Sequence, residues 1–134
     1  MKHQSSNKSK SKNGSKFEQT FTELTGIVKD IKKNKPRFLN SHGLKQVIDY
    51  DFKTTIDGVD VFIDVTTTFR SDRLKQKAYN ALLMKLKVNP NCKYYLVVKS
   101  FTEKNRKRVP VLIEGIDGVM DIEQFMANIF NNSK

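Results

Sequence analysis

Of 134 residues only one is cysteine, Cys92, and only two are histidine, His3 and His42. A lone thiol cannot close an internal disulfide or furnish a cysteine-rich zinc site, so structural zinc is not expected and a reducing, cytoplasmic setting is. With His42 beside Gly43 in a loop-like stretch and His3 near the start, a histidine-rich nuclease motif is absent. No apolar run approaches the roughly 20 residues that cross a bilayer, and no segment reads as a signal peptide; no membrane partner is expected. Walker-type phosphate loops, Gly-x-Ser-x-Gly elbows and dinucleotide fingerprints are missing too, which sets aside nucleotide-driven and serine-hydrolase chemistry. Acids are scarce as well: 14 Asp plus Glu stand against 25 Lys plus Arg, a net charge of +11. On one small domain, that excess favours a polyanionic partner.

Residues 1–16 hold five lysines, several serines, no acid and no large apolar side chain after Met1. Such a segment cannot bury enough surface to offset its ordering entropy and reads as a disordered basic tail, either an electrostatic arm or a solubilising terminus. Without those lysines the remainder carries 20 basic against 14 acidic side chains, still +6. The domain is thus expected over residues 17–134. A first helix is expected from near Ser15, where Ser15-Lys16-Phe17-Glu18 fits a capping box and Phe17, Phe21, Leu24 and Val28 follow at helical spacing; it should end between Gly26 and Ile31. Lys29, Lys32, Lys33, Lys35 and Arg37 surround Pro36 as an exposed basic loop.

Gln46 to Ile56 and Val59 to Thr68 form two β-rich runs joined by Asp57-Gly58, a dipeptide suited to a type I′ hairpin turn. Ser71 is a candidate cap for a helix to about Lys87, stopped by Asn89-Pro90-Asn91. Lys93 to Ser100 reads as a buried strand, followed by the basic cluster Lys104, Arg106, Lys107 and Arg108, a short strand at Val109 to Glu114, and a helix over Asp121 to Phe130 with Ile122, Phe125, Met126 and Ile129 facing a core. The expected fold class is α/β (α+β), in the order α-β-β-α-β-β-α.

With Asp57 and Gly58 as the loop, Ile56 opposes Val59, Thr55 opposes Asp60, and Asp51 opposes Asp64, and opposed side chains share a face. Val61, Ile63 and Val65 make one face of the second strand, and Asp60, Phe62, Asp64, Thr66 and Thr68 the other. Two opposed carboxylates repel unless compensated, and a hard cation such as Mg²⁺ is bound by such oxygen pairs. The alternative is a solvent-facing hairpin whose acids are screened by water and lysines such as Lys53. Asp49 and Asp60 share the face and are alternative ligands.

Glu18 on a preceding helix, Asp51 on one strand and Asp64-Val65-Thr66 on the next resemble the pattern of the PD-(D/E)xK nuclease superfamily, which includes many restriction enzymes and phage and archaeal Holliday-junction resolvases. The resemblance spans roughly Ser15 to Ser100 and includes the opening Gly14-Ser15-Lys16-Phe17-Glu18. It implies a single restriction-endonuclease-like domain, a central mixed β-sheet flanked by helices, and Mg²⁺ or Mn²⁺ bound by Asp51, Asp64 and Glu18. The motif lysine is replaced by Thr66; in the family that lysine orients the attacking water and stabilises charge at the phosphate, roles a neutral hydroxyl fills poorly. Some members supply the lysine from the adjoining helix. Setting Leu74 at 0° and advancing about 100° per residue puts Ala78, Leu82 and Leu86 at about 40°, 80° and 120°, and Lys75 at about 100°. Lys75 therefore either reaches the acids or snorkels past the core with its ammonium in water.

The expected function is a metal-dependent DNA endonuclease with Glu18, Asp51, Asp64, Thr66 and Lys75 as catalytic candidates. Lys32, Lys33, Lys35, Arg37, Arg70, Arg73, Lys77, Lys104, Arg106, Lys107 and Arg108 are candidate backbone contacts, with Arg73 and Lys77 projecting on the far side of their helix from Lys75. A two-fold homodimer is expected by family analogy. The rival readings are a catalytically inactive DNA-binding module on the same fold and a basic RNA-binding or assembly protein. Glu18 has a second reading as a capping residue alone, and Tyr94 and Tyr95 read as strand packing rather than base-stacking platforms.

Overall fold

The computed structural model describes residues 15–112 and 114–131. Of the expected tail, residues 1–14 lie outside the described residues, while Ser15 and Lys16 are already helical. The architecture is mixed α/β, a four-stranded mixed sheet flanked by helices. Helix α1 (15–25) leads into a two-stranded antiparallel hairpin, β1 (Arg37–Leu39) and β2 (Lys45–Val47). Then come β3 (Phe52–Ile56), β4 (Val59–Thr66), α2 (Ser71–Lys87), β5 (Lys93–Val98), α3 (Glu103–Leu112), β6 (Gly118–Met120) and α4 (Ile122–Phe125), which runs on as a π-helical turn over Met126–Phe130. The main sheet has the order β3-β4-β5-β6, with β3 antiparallel to β4 and the remaining pairs parallel.

Three elements depart from the expected order. The β1–β2 hairpin bridges the end of the basic loop, at Arg37, and the start of the expected Gln46 strand, because Asn40 Oδ1 accepts the N–H groups of His42 (2.9 Å) and Leu44 (3.1 Å) and closes the turn. Gln46 to Ile56 is accordingly not one strand; it breaks between Val47 and Phe52. The basic cluster and the expected strand at Val109 to Glu114 are mostly helix, α3, which Thr102 caps by accepting from the N–H of Asn105 at 3.2 Å. The strand that does follow is β6, three residues long. Ser71 is the first residue within α2 rather than its cap; Arg70 holds that place and makes no side-chain capping bond.

The β3–β4 register is as the Asp-Gly turn dictates, with Ile56 opposite Val59 and Thr55 opposite Asp60. Asp57 and Gly58 take φ of 53° and 78°, the left-handed pair of a type I′ turn. Gly58→Val should therefore cost about 1–2 kcal/mol, the penalty of a side chain in that conformation, seen as a lower urea midpoint.

Both sheet faces are covered. Phe17, Phe21 and Ile27 of the α1 region and Phe125 of α4 bury Phe52, Val61, Ile63, Tyr95 and Val97 on one face. On the other, Leu74, Ala81 and Met84 of α2 meet Phe62, Tyr94, Leu96 and Val98. Leu24 and Val28 are exposed, and Thr25 and Ile27 are buried in their stead, because α1 ends at 25 and Gly26 (φ 77°) turns the chain. The α2 cover decides the electrostatics that follow, since it places the Phe62–Asp64 face of β4 indoors.

Candidate active site

Asp64 lies on the α2 face of β4 with no solvent exposure. A buried carboxylate persists only if its oxygens are satisfied, and three elements supply the donors. The backbone N–H of Asp51, just before β3, donates to Oδ1 at 2.9 Å. The phenol of Tyr94 on β5 donates to Oδ2, and Lys77 Nζ on α2 stands 3.4 Å from the same oxygen. Asp51 reciprocates, its Oδ2 accepting the N–H of Val65 at 3.0 Å. The two aspartates are thus locked side by side.

This proximity has a charge cost. Burial, then the neighbouring Asp64 charge, pushes the Asp51 carboxyl up to about 6, against the pull of the Val65 N–H and Lys77. Burial also raises Asp64, opposed chiefly by Lys77 and by the hydrogen bond from Tyr94. Tyr94 itself is held well above its ordinary value by burial and by the Asp64 charge, so it remains a protonated donor. Because these carboxyls bind protons more tightly folded than unfolded, they lower stability as pH rises; for Asp51 the fall spans about pH 4 to about 6. Asp51→Asn should remove that part of the slope, as the difference between urea midpoints of variant and parent across pH 4 to 7 in EDTA.

Next to the pair, a cavity of about 540 Å³ opens beyond the carboxyl end of β4. Asp51 and Lys77 line it with Glu18 of α1, Thr66, Arg70 and Arg73. Ligands of open α/β sheets bind in the crevice outside the carboxyl ends of the strands. Two other hollows, of about 690 and 660 Å³, are larger but contain neither Asp51 nor Asp64. The 540 Å³ cavity is the one that Asp51 and Lys77 line together.

The lysine beside the acids is Lys77, and Lys75 is exposed. The buried residues of α2 are Leu74, Ala78, Ala81 and Met84, whereas Leu86 is 76% exposed. Counting Leu86 into the apolar stripe turns the inferred inner face away from its true centre, which lies near about −20° and includes Lys77 at about −60°. Arg73 is exposed at the cavity rim, and Arg70 is held by Asp72 at 3.0 Å. Thr66 donates its hydroxyl to the Thr68 carbonyl at 3.0 Å.

Glu18 lines the cavity, and its Oε2 is paired with Lys29 Nζ at 2.9 Å. That hydrogen bond holds the Lys29 ammonium above its ordinary value. Asp49 is paired with Lys35, and Asp60 accepts from Asn89 at 3.1 Å. Neither joins the pair. Among the basic candidates, Lys35 is engaged by Asp49 and Tyr50, and Arg106 pairs with Asp121 at 3.4 Å while lying over the Phe101 ring. Lys33 and Arg37 are exposed near the β1–β2 hairpin, and Lys104, Lys107 and Arg108 are exposed on α3. Lys32 falls in a single 3₁₀ turn, Lys32–Asn34.

No protein-family model, no curated protein and no solved structure matches this chain. The chemistry of the cavity stands on its own donors. Among the described residues no three His, Cys, Asp or Glu side chains gather closely enough to hold a metal unaided. A hard cation does suit the pair, since Mg²⁺ keeps several waters and is bound through one or two carboxylates plus phosphate oxygens. Asp51 Oδ1 has no hydrogen bond among the described residues, and a cation there would offset the Asp64 charge that, after burial, raises the Asp51 carboxyl.

The residue that sequence reasoning missed is Tyr94, placed with packing residues. A signal for it exists: a tyrosine inside an otherwise apolar, fully buried strand must find a partner for its hydroxyl.

Proposed function

We propose that this chain is a metal-dependent DNA endonuclease that hydrolyses phosphodiester bonds in the cavity that Asp51 lines, with Asp64 buried behind it. The observation that carries the reading is the aspartate pair, with its raised carboxyl pKa values, beside Lys77 in a cavity rimmed by Arg70 and Arg73. Mg²⁺ or Mn²⁺ would be held by Asp51 and Asp64, with Glu18 across the cavity as an auxiliary ligand or base. When bound, such an ion acidifies water and offsets phosphate charge.

The chain's own groups do the remaining work. Lys77, fixed by Asp64, presents its ammonium to a phosphate oxygen and takes the part that the motif lysine would play at Thr66. The Thr66 hydroxyl positions water or phosphate beside it. Arg73, with Arg70, holds the phosphodiester on the rim, while Lys33, Arg37, Lys104, Lys107 and Arg108 extend the grip along the backbone. Affinity should consequently fall steeply with salt. A homodimer would let two such cavities address two strands.

Two observations favour a second reading, a DNA-binding module without catalysis: Thr66 stands in the lysine place and both Asp64 oxygens already accept protein hydrogens. The readings part when supercoiled plasmid and a branched DNA are incubated with the protein and Mg²⁺, Mn²⁺ or EDTA, with binding measured in parallel. Nicking with metal and none with EDTA is expected. Tight, salt-sensitive binding without cleavage of either DNA in any metal would transfer the assignment to the binding module.

A further inference from the structure

Asp64 is the meeting point of three separate elements: the segment entering β3 through the Asp51 N–H, α2 through Lys77, and β5 through Tyr94. Of the three donors, the Tyr94 phenol is the one with no other duty at the cavity. Its ring is fully buried against Phe62, with centroids 6.4 Å apart, so its position is fixed by packing that does not depend on Asp64. A second acceptor lies near the same hydroxyl, the Asp49 carbonyl at 3.3 Å, two residues before Asp51. One rigid phenol therefore faces both the Asp64 carboxylate and the backbone that delivers Asp51.

We propose that Tyr94 is a positioning residue of the cavity: its phenol orients the Asp64 carboxylate, and through it seats Lys77 and Asp51 in register with one another. The inference rests on the reading of the cavity as a cation-binding catalytic site and deepens it by assigning a role to a residue that does not line the cavity. Without the hydroxyl, Asp64 Oδ2 has only Lys77 at 3.4 Å, and the carboxylate is free to rotate toward it. The Asp51 N–H bond to Oδ1 then loses its alignment, and with it the spacing of the two carboxylates. Outer partners that orient metal-ligating groups typically affect metal affinity by about 10- to 100-fold.

The test titrates Mn²⁺ alone into the full chain without DNA, following the free-ion electron paramagnetic resonance signal. It compares the parent with Tyr94→Phe, which keeps the ring, and with Met84→Ala, which weakens the same buried cluster but leaves the hydroxyl. The expected result is Mn²⁺ binding by the parent, affinity reduced about tenfold or more in Tyr94→Phe, and Met84→Ala like the parent despite its lower stability. Equal affinity in parent and Tyr94→Phe overturns the positioning role and leaves the cation site standing. A parallel loss in Met84→Ala also overturns it, since general loosening of the cluster would then suffice. No Mn²⁺ binding by the parent overturns the cation site itself, and the positioning role with it. If Tyr94→Phe does not fold, the parent is read directly: a protected, downfield phenolic proton assigned to Tyr94 that shifts on adding Mg²⁺ supports the role, and its absence contradicts it.

Discussion

Replacing Asp51 with asparagine should reduce metal-dependent DNA nicking on the order of a thousandfold, the scale on which loss of one preorganised charge-stabilising group acts, while the far-ultraviolet circular dichroism stays that of the parent. Asp51 is the better probe of the pair because it lines the cavity and is only partly buried, whereas Asp64 is fully buried. Asparagine retains an oxygen to accept the Val65 N–H and removes the charge. DNA binding in EDTA should be equal or tighter, since a negative charge facing the phosphate is gone. An Asp51→Asn protein that nicks at the parent's rate would place the chemistry elsewhere.

The second large effect belongs to Lys77. Lys77→Met leaves the Asp64 carboxylate buried with only neutral donors, and breaking one side of a buried pair commonly costs 3–5 kcal/mol. The Lys77 side chain is 25% exposed, so solvent already screens part of the interaction and the expected loss is about 2–3 kcal/mol at neutral pH. The deficit should shrink as pH falls, because a protonated Asp64 no longer needs the ammonium. Urea unfolding at several pH values reads this out. Asp64→Asn combined with Lys77→Met should be more stable than Lys77→Met alone, since the unpaired charge is then removed. Nicking should be lost in both variants, separating the ammonium's part in the site from its part in stability.

Particular residues show how much of this was legible in the sequence. Asp57-Gly58 dictates the hairpin through two positive φ angles, and the register it imposes brings Asp51 beside Asp64. Periodicity along β4 separates Val61 and Ile63 from Phe62 and Asp64, and the structure keeps that division. What alternation along one strand does not say is what covers each face. A half-buried hairpin and a sheet packed on both sides share the pattern, and only the placement of α2 makes Asp64 a buried charge. The side of α2 that turns inward depends on which leucines are counted, and the exposure of Leu86 moves it from Lys75 to Lys77. Strands β1, β2 and β6 are three residues each, too short to impose a period; the first two are held by the Asn40 turn and the third by parallel pairing with β5. Helix α3 is hidden in sequence because its first half reads as a basic cluster and its second, from Val109, as a short strand, whereas Thr102 supplies the cap that starts it.

The measurement that bears most directly on the cavity as a catalytic site is a side-by-side nicking assay on supercoiled plasmid, with parent, Asp51→Asn and Lys77→Met each in Mg²⁺ and in EDTA. Single-strand nicks from the parent in Mg²⁺ alone, absent from both variants while all three still bind the plasmid, are the predicted result. Nicking that persists in EDTA, or that survives in both variants, would contradict the assignment.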